Sequence, residues 1–434
     1  MRIVYITAGA AGMLCGSCLH DNTLAAALQR KGHRVDLVPT YTPLRTDETD
    51  VSLDRVFYGA LNVYLKQKWS WYRRAPLLLH WLLDRRPVLN WVSRLAGSAA
   101  TQGTNLGALT LSMLRGETGH QRAELEQLVH WLGDEVRPEI VHLTNSMMLG
   151  LARSIRESLQ VPVVCSVQGE DLFLDQIGEP YRTRVHDEIR RRAADVDAFI
   201  APGRTYADTM TRYLGIEAHR MHIARLGVLL DGHAPAAREP APEFTLGYLA
   251  RICPDKGLHL LIEAFRILSE RSRDVPIRLR VAGYMGKQDG PWVQSLRSNL
   301  AVWGLAERVE WLGEVDRAGK LRFLRQIDLL SVPTVYRESK GLPVLEAMAS
   351  AVPVVQPAHG SFPEIVEATG GGLLVEPNSA QALADGILEL INDRGRCRRL
   401  GEQGRLAVHA HFSDEDMAED TLAVYRKVRP FQPG

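Results

Sequence analysis

The chain has 434 residues, which is long for a single domain and predicts two. Its 45% hydrophobic and 24% charged residues are ordinary for a globular protein, and a formal net charge of +1 gives no general attraction to nucleic acid. Five cysteines favour reduced thiols over a disulfide framework. We find no signal-peptide pattern and no run of roughly 18 apolar residues, so we expect a cytoplasmic protein.

The first residues predict a strand at 3–6, a helix at 23–30 and a second strand at 34–38. The glycine-rich loop between the first strand and the helix lets the backbone approach a ligand closely, although it lacks the G-x-G-x-x-G pattern of dinucleotide sites. A tight turn with packing duties alone is the alternative. Cys15 and Cys18 form a C-x-x-C pair in this loop; a redox or metal role is open, and we favour small residues suited to a crowded turn.

The segment 57–95 differs in composition from the rest of the chain. It holds four of the eight tryptophans, interleaved with seven lysines and arginines and a short apolar run. A basic, tryptophan-bearing amphipathic segment can lie in a bilayer interface. Hydrophobic packing within the N-terminal domain, or a lid over an acceptor, accounts for the same residues. We therefore keep peripheral contact with the inner membrane face as one of two interpretations.

Further strands are predicted at 139–143 and 161–165, with a helix at 149–159 between them and another helix at 124–132. This alternation indicates a parallel sheet covered on both faces. Asp195 and Asp197 resemble a D-x-D metal motif, but they precede an apolar run and we interpret them as solvated carboxylates at a strand entrance. The histidines form no ligand cluster, so we expect no obligatory metal.

A proline-rich stretch at 233–242 predicts the linker to a second domain, which opens with a strand at 244–249, a helix at 258–269 and a strand at 277–282. A strand end at 310–313, a short helix at 321–323 and a buried strand at 329–332 follow. Pro343 then begins a helix, which places Glu338 in the loop ahead of it and Glu346 about one turn inside. Free N–H groups near Gly341 and Leu342 make a site for an anion. Two carboxylates beside such a site suggest a nucleotide sugar, whereas an isolated Glu-x7-Glu pair is more often a pair of surface residues.

With this pair of glutamates the chain resembles the retaining glycosyltransferases of family 4. The resemblance extends upstream through residues 247–257 and downstream through residues 351–355, 360–366 and 372–377, and it is thinner over the N-terminal half. It implies that Arg251 and Lys256 contact the donor diphosphate, that Glu346 contacts the ribose, and that Glu338 contacts sugar hydroxyls and stabilises the transition state. Lys340 departs from the aromatic or small residue common at its position and adds a cation near phosphate or sugar.

The resemblance also assigns roles to loops of both domains. Gly12 and Gly16 become candidates for holding donor phosphate or acceptor, and the loop from Gly313 to Val315 a candidate for contacting the base. Gln168 stands where the family usually has a histidine that hydrogen-bonds the donor sugar near the reacting carbon. The glutamine side chain keeps a hydrogen-bond donor and an acceptor, but unlike histidine it cannot take up a proton at neutral pH. Binding can therefore survive this change, while catalysis that needs proton transfer by the imidazole cannot.

The expected fold is therefore two facing Rossmann-like, doubly wound α/β domains with a cleft between them, the GT-B arrangement. Residues 1–232 form the acceptor-side domain, residues 243–410 the donor domain, and a helix within 411–434 crosses back to the first. The expected activity is metal-independent, cofactor-free retaining transfer of a sugar from a nucleotide diphosphate sugar to a hydroxyl of a glycan, lipid or small molecule. The alternative is a nucleotide-sugar-binding protein or an epimerase of the same fold.

Overall fold

The computed structural model describes residues 1–9, 15–57, 103–235, 242–272 and 274–429. These residues form two compact units. The first comprises the described part of Met1–Arg225 together with the residues from Glu415 onward, and the second is Leu226–Asp414. The sequence predicted that the first domain ends at residue 232, that the second spans residues 243–410, and that the chain returns to the first domain after residue 410.

The first unit contains a parallel sheet in the order β2-β1-β3-β4-β5-β6. Its strands are β1 (Arg2–Thr7), β2 (Arg34–Pro39), β3 (Ile140–Leu143), β4 (Val163–Ser166), β5 (Ala198–Ala201) and β6 (Met221–Ile223). The helices described between them are α1 (Gly16–Arg30), α2 (Gly103–Leu114), α3 (Arg122–Trp131), α4 (Ala152–Leu159), α5 (Asp171–Asp175), α6 (Tyr181–Ala193) and α7 (Arg204–Leu214). Strands β3, β4 and β5 are buried at every position, as expected for a parallel sheet covered on both faces.

The second unit contains a parallel sheet in the order β12-β11-β10-β7-β8-β9. Its strands are β7 (Phe244–Leu249), β8 (Ile277–Ala282), β9 (Val309–Gly313), β10 (Leu329–Leu330), β11 (Val354–Pro357) and β12 (Gly372–Val375). Its helices are α8 (Leu258–Arg271), α9 (Gly290–Val302), α10 (Arg317–Leu324), α11 (Leu342–Ala349), α12 (Phe362–Thr369), α13 (Ala380–Asn392) and α14 (Arg394–His411). The strand order reverses between β7 and β10, and this reversal opens a crevice at the carboxyl ends of those strands.

The last helix, α15 (Asp414–Val428), packs in the first unit. Its Tyr425 hydroxyl lies 2.7 Å from Nδ1 of His142 on β3, and Arg429 donates to Glu139 at 2.7 Å. Residues 226–232, which the sequence assigned to the end of the first domain, belong to the second unit instead. Arg317 of that unit donates to the carbonyls of Leu229 and Asp231. Two doubly wound α/β domains are thus confirmed. Across the described part of the chain, no helix combines the length and apolarity needed to span a bilayer.

Candidate functional site

The loops that follow β7 and β10 lie side by side at the carboxyl edge of the second sheet. The Val335 amide donates to the Asp255 carbonyl at 3.0 Å, which ties the two loops together. Gly257 has φ +72°, and a side chain there would overlap the Pro333 carbonyl oxygen. Both the left-handed conformation and this close approach require glycine. The residues predicted from R-x4-K and from Glu-x7-Glu therefore come from adjacent loops at the strand-order reversal.

Glu338 is the centre of a cluster at this edge. Its Oε2 accepts a hydrogen bond from Lys256 Nζ at 2.6 Å and another from the Tyr336 hydroxyl at 2.8 Å. Lys256 also donates to the Tyr336 hydroxyl, and the Lys340 amide approaches Glu338 Oε1 at 3.3 Å. The Glu338 side chain is 11% exposed and that of Lys256 22%. The pair is thus largely shielded from water but still open to a ligand.

This environment fixes the protonation state of Glu338. Burial alone would raise the pKa of its carboxyl, but the Lys256 charge and the hydrogen bonds from Lys256, Tyr336 and the Lys340 amide outweigh it and hold the pKa at about 2. Burial and the neighbouring Glu338 charge raise the pKa of the Tyr336 hydroxyl far above its ordinary value. At neutral pH the cluster therefore presents a carboxylate, an ammonium and a neutral phenol. A carboxylate of this kind accepts hydrogen bonds from sugar hydroxyls.

A third loop, after β11, supports the backbone of Glu338. The Ser361 amide donates to the Glu338 carbonyl at 2.7 Å. Gly360 has φ +62°, and a Cβ there would lie 2.5 Å from both the amide nitrogen and the carbonyl oxygen of Glu338. His359 Nε2 lies 2.9 Å from the Thr334 carbonyl oxygen and so closes the same loop on its neighbour. The loops after β7, β10 and β11, three neighbouring strands of the sheet, thus fix the position of the Glu338 carboxylate.

Helix α11 begins beside this carboxylate. Gly341, with φ +72°, is its N-cap and Leu342 its first residue, so the positive end of the helix lies next to Glu338. Glu346 lies one turn inside, 6% exposed, and is ion-paired with Lys320 of α10, which is 5% exposed. A buried carboxylate is stable as an anion only when a cation or hydrogen-bond donors accompany it, and Lys320 supplies the cation.

Arg251 lies on the exposed surface of the loop after β7, where its Nε donates to Cys253 Sγ at 3.3 Å. Its charge reaches Tyr336 electrostatically and lowers the Tyr336 pKa against the other influences there. An exposed guanidinium can bind a phosphate through paired hydrogen bonds. Lys340 is 8% exposed. Gly313, with φ +68°, ends β9, and Val315 follows at the start of the loop into α10.

Three of the predicted site residues, Gln168, Gly12 and Gly16, belong to the first part of the chain, Met1–Arg225. Gln168 follows β4 and is 6% exposed, with its side-chain nitrogen 2.8 Å from Asp21 Oδ1 and 2.9 Å from the Thr144 carbonyl oxygen. Gly16 is exposed at the start of α1, and a Cβ there would meet nothing within 4 Å, so the structure does not require glycine at that position. Gly12 lies outside the described residues, as does the segment 58–102.

The description of Asp195 as a solvated carboxylate was wrong, whereas Asp197 is half-buried. Asp195 is 8% exposed and pairs with Arg153 at 3.2 Å and with the fully buried Arg192 at 3.8 Å. Asp197 accepts from the Val163 amide at 2.8 Å. These contacts were not predicted because Arg153 and Val163 lie 42 and 34 residues before their partners in the sequence. Among the described residues, no group of three histidine, cysteine or acidic side chains is placed to hold a metal ion.

Sequence reasoning missed Tyr336, Lys320 and Asp21. Tyr336 lies two residues before Glu338, the first residue of the glutamate motif, and its role follows from the loop conformation that turns its hydroxyl onto the carboxylate. Lys320 lies in a helix of which only residues 321–323 were predicted. Asp316, whose side chain accepts from the Gly319 amide at 2.7 Å, is an N-cap signal that would have revealed the start of that helix.

Comparison with known proteins gives two adjacent family matches. The family model described as Glycosyl transferases group 1 matches residues 233–407, and the model described as Glycosyltransferase Family 4 matches residues 110–231. The chain is 32% identical over 280 residues to alpha-maltose-1-phosphate synthase of Mycolicibacterium smegmatis, an alignment that covers 58% of this chain and 69% of that protein.

A second relative is the putative colanic acid biosynthesis glycosyltransferase WcaL of Escherichia coli, 34% identical over 177 residues. That match covers 39% of this chain and 42% of the relative, so the chain spans about two fifths of its length. Among solved structures, Anabaena HepE in complex with UDP and glucose superposes with a TM-score of 0.67 at 17% identity, covering 98% of this chain and 99% of that one. On these matches and on its two parallel-sheet domains, the chain belongs to the glycosyltransferases of the GT-B fold.

Proposed function

We propose that this protein transfers a sugar from a nucleotide diphosphate sugar to a hydroxyl acceptor with retention of anomeric configuration. The observation that carries the proposal is the cluster of Glu338, Lys256 and Tyr336 at the strand-order reversal of the second sheet, beside the N-terminus of α11. Ligands of open α/β sheets bind at such reversals, and an ionised carboxylate next to a cation and a helix N-terminus suits a ligand with both hydroxyls and phosphates.

In this scheme Arg251, Lys256 and the backbone at Gly341 and Leu342 bind the diphosphate and stabilise it as it leaves. Glu346 accepts from the ribose hydroxyls, and Glu338 accepts from sugar hydroxyls while its charge stabilises the oxocarbenium-like transition state. The acceptor hydroxyl attacks the face from which the diphosphate departs, the glycosidic bond to phosphate breaks, and the leaving phosphate takes the hydroxyl proton. This sequence requires no protein nucleophile and no metal ion.

The remaining candidates have subsidiary places in the proposal. Gln168 is the candidate catalytic residue of the first unit and contacts the donor sugar near the reacting carbon, with Gly12 and Gly16 beside donor phosphate or acceptor. Lys340 adds a cation near phosphate or sugar, and the backbone from Gly313 to Val315 contacts the base. HepE was solved with UDP and glucose, which supports uridine nucleotides as the first donors to test.

The experiment is turnover with a panel of nucleotide sugars, preceded by a thermal-shift screen of the same ligands with and without EDTA. Glu338→Gln and Arg251→Ala should each abolish nucleotide diphosphate release. The matched controls are Glu307→Gln and Arg308→Ala, because these exposed residues precede β9 and therefore lie at the opposite, amino-terminal edge of the sheet. Unchanged turnover in both site variants would contradict the assignment.

A second candidate, a nucleotide-sugar-binding protein or an epimerase, is favoured by one observation. Gln168 replaces a histidine, and its side-chain nitrogen is engaged by Asp21 and Thr144 rather than presented to a ligand. Donor hydrolysis without acceptor would argue against a pure binding protein, and an altered sugar without transfer would indicate an epimerase.

The acceptor is proposed to be a glycan, lipid or small molecule, reached in the cytoplasm. The segment proposed to contact the membrane is 57–95, and all of it except Phe57 lies outside the described residues. Phe57 packs against Trp131, with the ring centroids 4.8 Å apart. Co-sedimentation with anionic vesicles at low salt tests that contact, and absence of binding would remove it.

A further inference from the structure

Asp21, on α1, is a fully buried carboxylate at the carboxyl edge of the first sheet. Its Oδ2 accepts from the hydroxyls of Thr7 and Thr144, each at 2.6 Å. Its Oδ1 accepts from the Tyr5 hydroxyl at 2.6 Å and the Gln168 side-chain nitrogen at 2.8 Å, and it lies 3.2 Å from His20 Nδ1. Groups from strand β1, from the loops after β3 and β4, and from α1 itself therefore converge on one anion.

The convergence keeps Asp21 ionised. Burial alone would raise its pKa, but the hydrogen bonds from His20, Thr144 and Thr7 and the proximity of His20 lower it below the ordinary value. An ionised carboxylate is only an acceptor, so every group that faces it must donate. None of the mechanism proposed above uses this anion.

The Asp21 carboxylate determines how the side-chain amide of Gln168 is oriented. The side-chain nitrogen of Gln168 faces Asp21 Oδ1, the Thr144 carbonyl oxygen at 2.9 Å and the Thr144 hydroxyl oxygen at 3.1 Å. Because the carboxylate and the carbonyl can only accept, the amide must point its NH2 group toward them, and the reversed orientation would place oxygen against oxygen. The side-chain carbonyl oxygen then faces away from Asp21.

We propose that Asp21 is a positioning residue that fixes Gln168 as a hydrogen-bond acceptor, so that the group of the donor sugar that Gln168 meets is a hydroxyl donating its proton. This rests on the proposed function, in which Gln168 contacts the donor sugar. It settles which half of the glutamine amide acts on the ligand. It also assigns the site a substrate class, a donor with a free hydroxyl at the position next to Gln168.

The first test needs no substrate. In protein labelled with ¹⁵N-glutamine, the side-chain NH2 resonances of Gln168 are identified by their loss in Gln168→Ala. We expect their exchange with water to be slow in the wild type and at least tenfold faster in Asp21→Asn, which can offer an NH2 of its own. Thr7→Val is the matched control, because it removes a donor from the other carboxylate oxygen and leaves the Gln168 contact in place. Fast exchange in the wild type, or no difference between Asp21→Asn and Thr7→Val, would overturn the positioning role.

The second test uses UDP-glucose, or whichever nucleotide sugar the thermal-shift screen selects, with its monodeoxy and monofluoro analogues. Fluorine cannot donate a hydrogen bond, so at one sugar position both changes should lower kcat/KM by about 10- to 100-fold in the wild type. The loss should be absent in Gln168→Ala and reduced in Asp21→Asn but kept in Thr7→Val. A fluoro analogue that retains activity where the deoxy analogue loses it would show that Gln168 donates, and would overturn the proposal. If no nucleotide sugar is bound or turned over, the proposed function and the hydroxyl assignment fail together, while the exchange measurement still decides whether Asp21 orients Gln168.

Discussion

Replacing Lys256 by methionine tests whether the Glu338 cluster is held by charge. The substitution keeps most of the apolar stem and removes the ammonium that donates to Glu338 Oε2 at 2.6 Å. Burial then acts on the carboxyl with only the Tyr336 hydroxyl and the Lys340 amide opposing it, so the Glu338 pKa should rise.

The size of the effect follows from the pKa. A fall from the ordinary 4.5 to about 2 makes the folded protein bind the Glu338 proton far more weakly than the unfolded chain does. At about 1.4 kcal/mol per tenfold change, this corresponds to about 3 kcal/mol of folding stability. Because the folded pKa is the lower one, that stability is present above about pH 4.5 and is lost as the pH falls through 4.5 toward 2. Both side chains are less than a quarter exposed, so screening by water removes only part of it.

The assay is urea unfolding at pH 7 and pH 4 of the wild type, Lys256→Met, Glu338→Gln and the double variant. Hydrogen exchange of peptides covering β7 and β10 restricts the comparison to the second unit. We expect Lys256→Met to cost about 2–3 kcal/mol at pH 7 and the double variant to recover part of it, with a coupling energy of about 2 kcal/mol. A coupling energy below about 0.5 kcal/mol, the value of an exposed pair, would refute the reasoning.

Three further predictions concern contacts in both units. Gly360→Ala should lower turnover at least tenfold, because Gly360 has φ +62° and a Cβ there would lie 2.5 Å from the Glu338 backbone. Gly16→Ala is the control: a Cβ there meets open space, so the free energy of unfolding should stay within about 0.5 kcal/mol of wild type. Lys320→Met should weaken nucleotide diphosphate binding in calorimetry by about tenfold, because the buried Glu346 loses its ion-pair partner; an unchanged Kd would contradict the role of Lys320. Asp195→Asn should lower stability, because it weakens the contacts with Arg153 and Arg192, and leave turnover in EDTA unchanged; a metal requirement that disappears with this variant would restore the metal motif.

Much of the fold could be predicted because buried parallel strands are continuous apolar runs. The bounds predicted for β7 and β8 agree with the structure at both ends. Helix α1 was predicted to begin at residue 23 but begins at Gly16. Its first turns bury polar side chains, among them His20, Asp21 and Asn22, so the apolar periodicity that marks a helix is absent there.

The candidate site was predictable where it follows local spacing. The positions of Glu338 before α11 and of Glu346 inside it follow from Pro343, which can start a helix but not continue a strand ladder. The Lys320–Glu346 pair joins residues 26 apart, and Asp21 meets Gln168 across 147 residues. Such contacts depend on which strands lie next to each other, and local sequence pattern carries no information about that.

Anomeric analysis of the product tests the central claim most directly. The donor selected by the thermal-shift screen is incubated with an acceptor in EDTA, and the new glycosidic linkage is assigned by proton coupling in the NMR spectrum, for wild type and Glu338→Gln. We expect a product with the donor's anomeric configuration from the wild type and at least a hundredfold less product from Glu338→Gln. An inverted product, or undiminished product from Glu338→Gln, would contradict retaining transfer at this site.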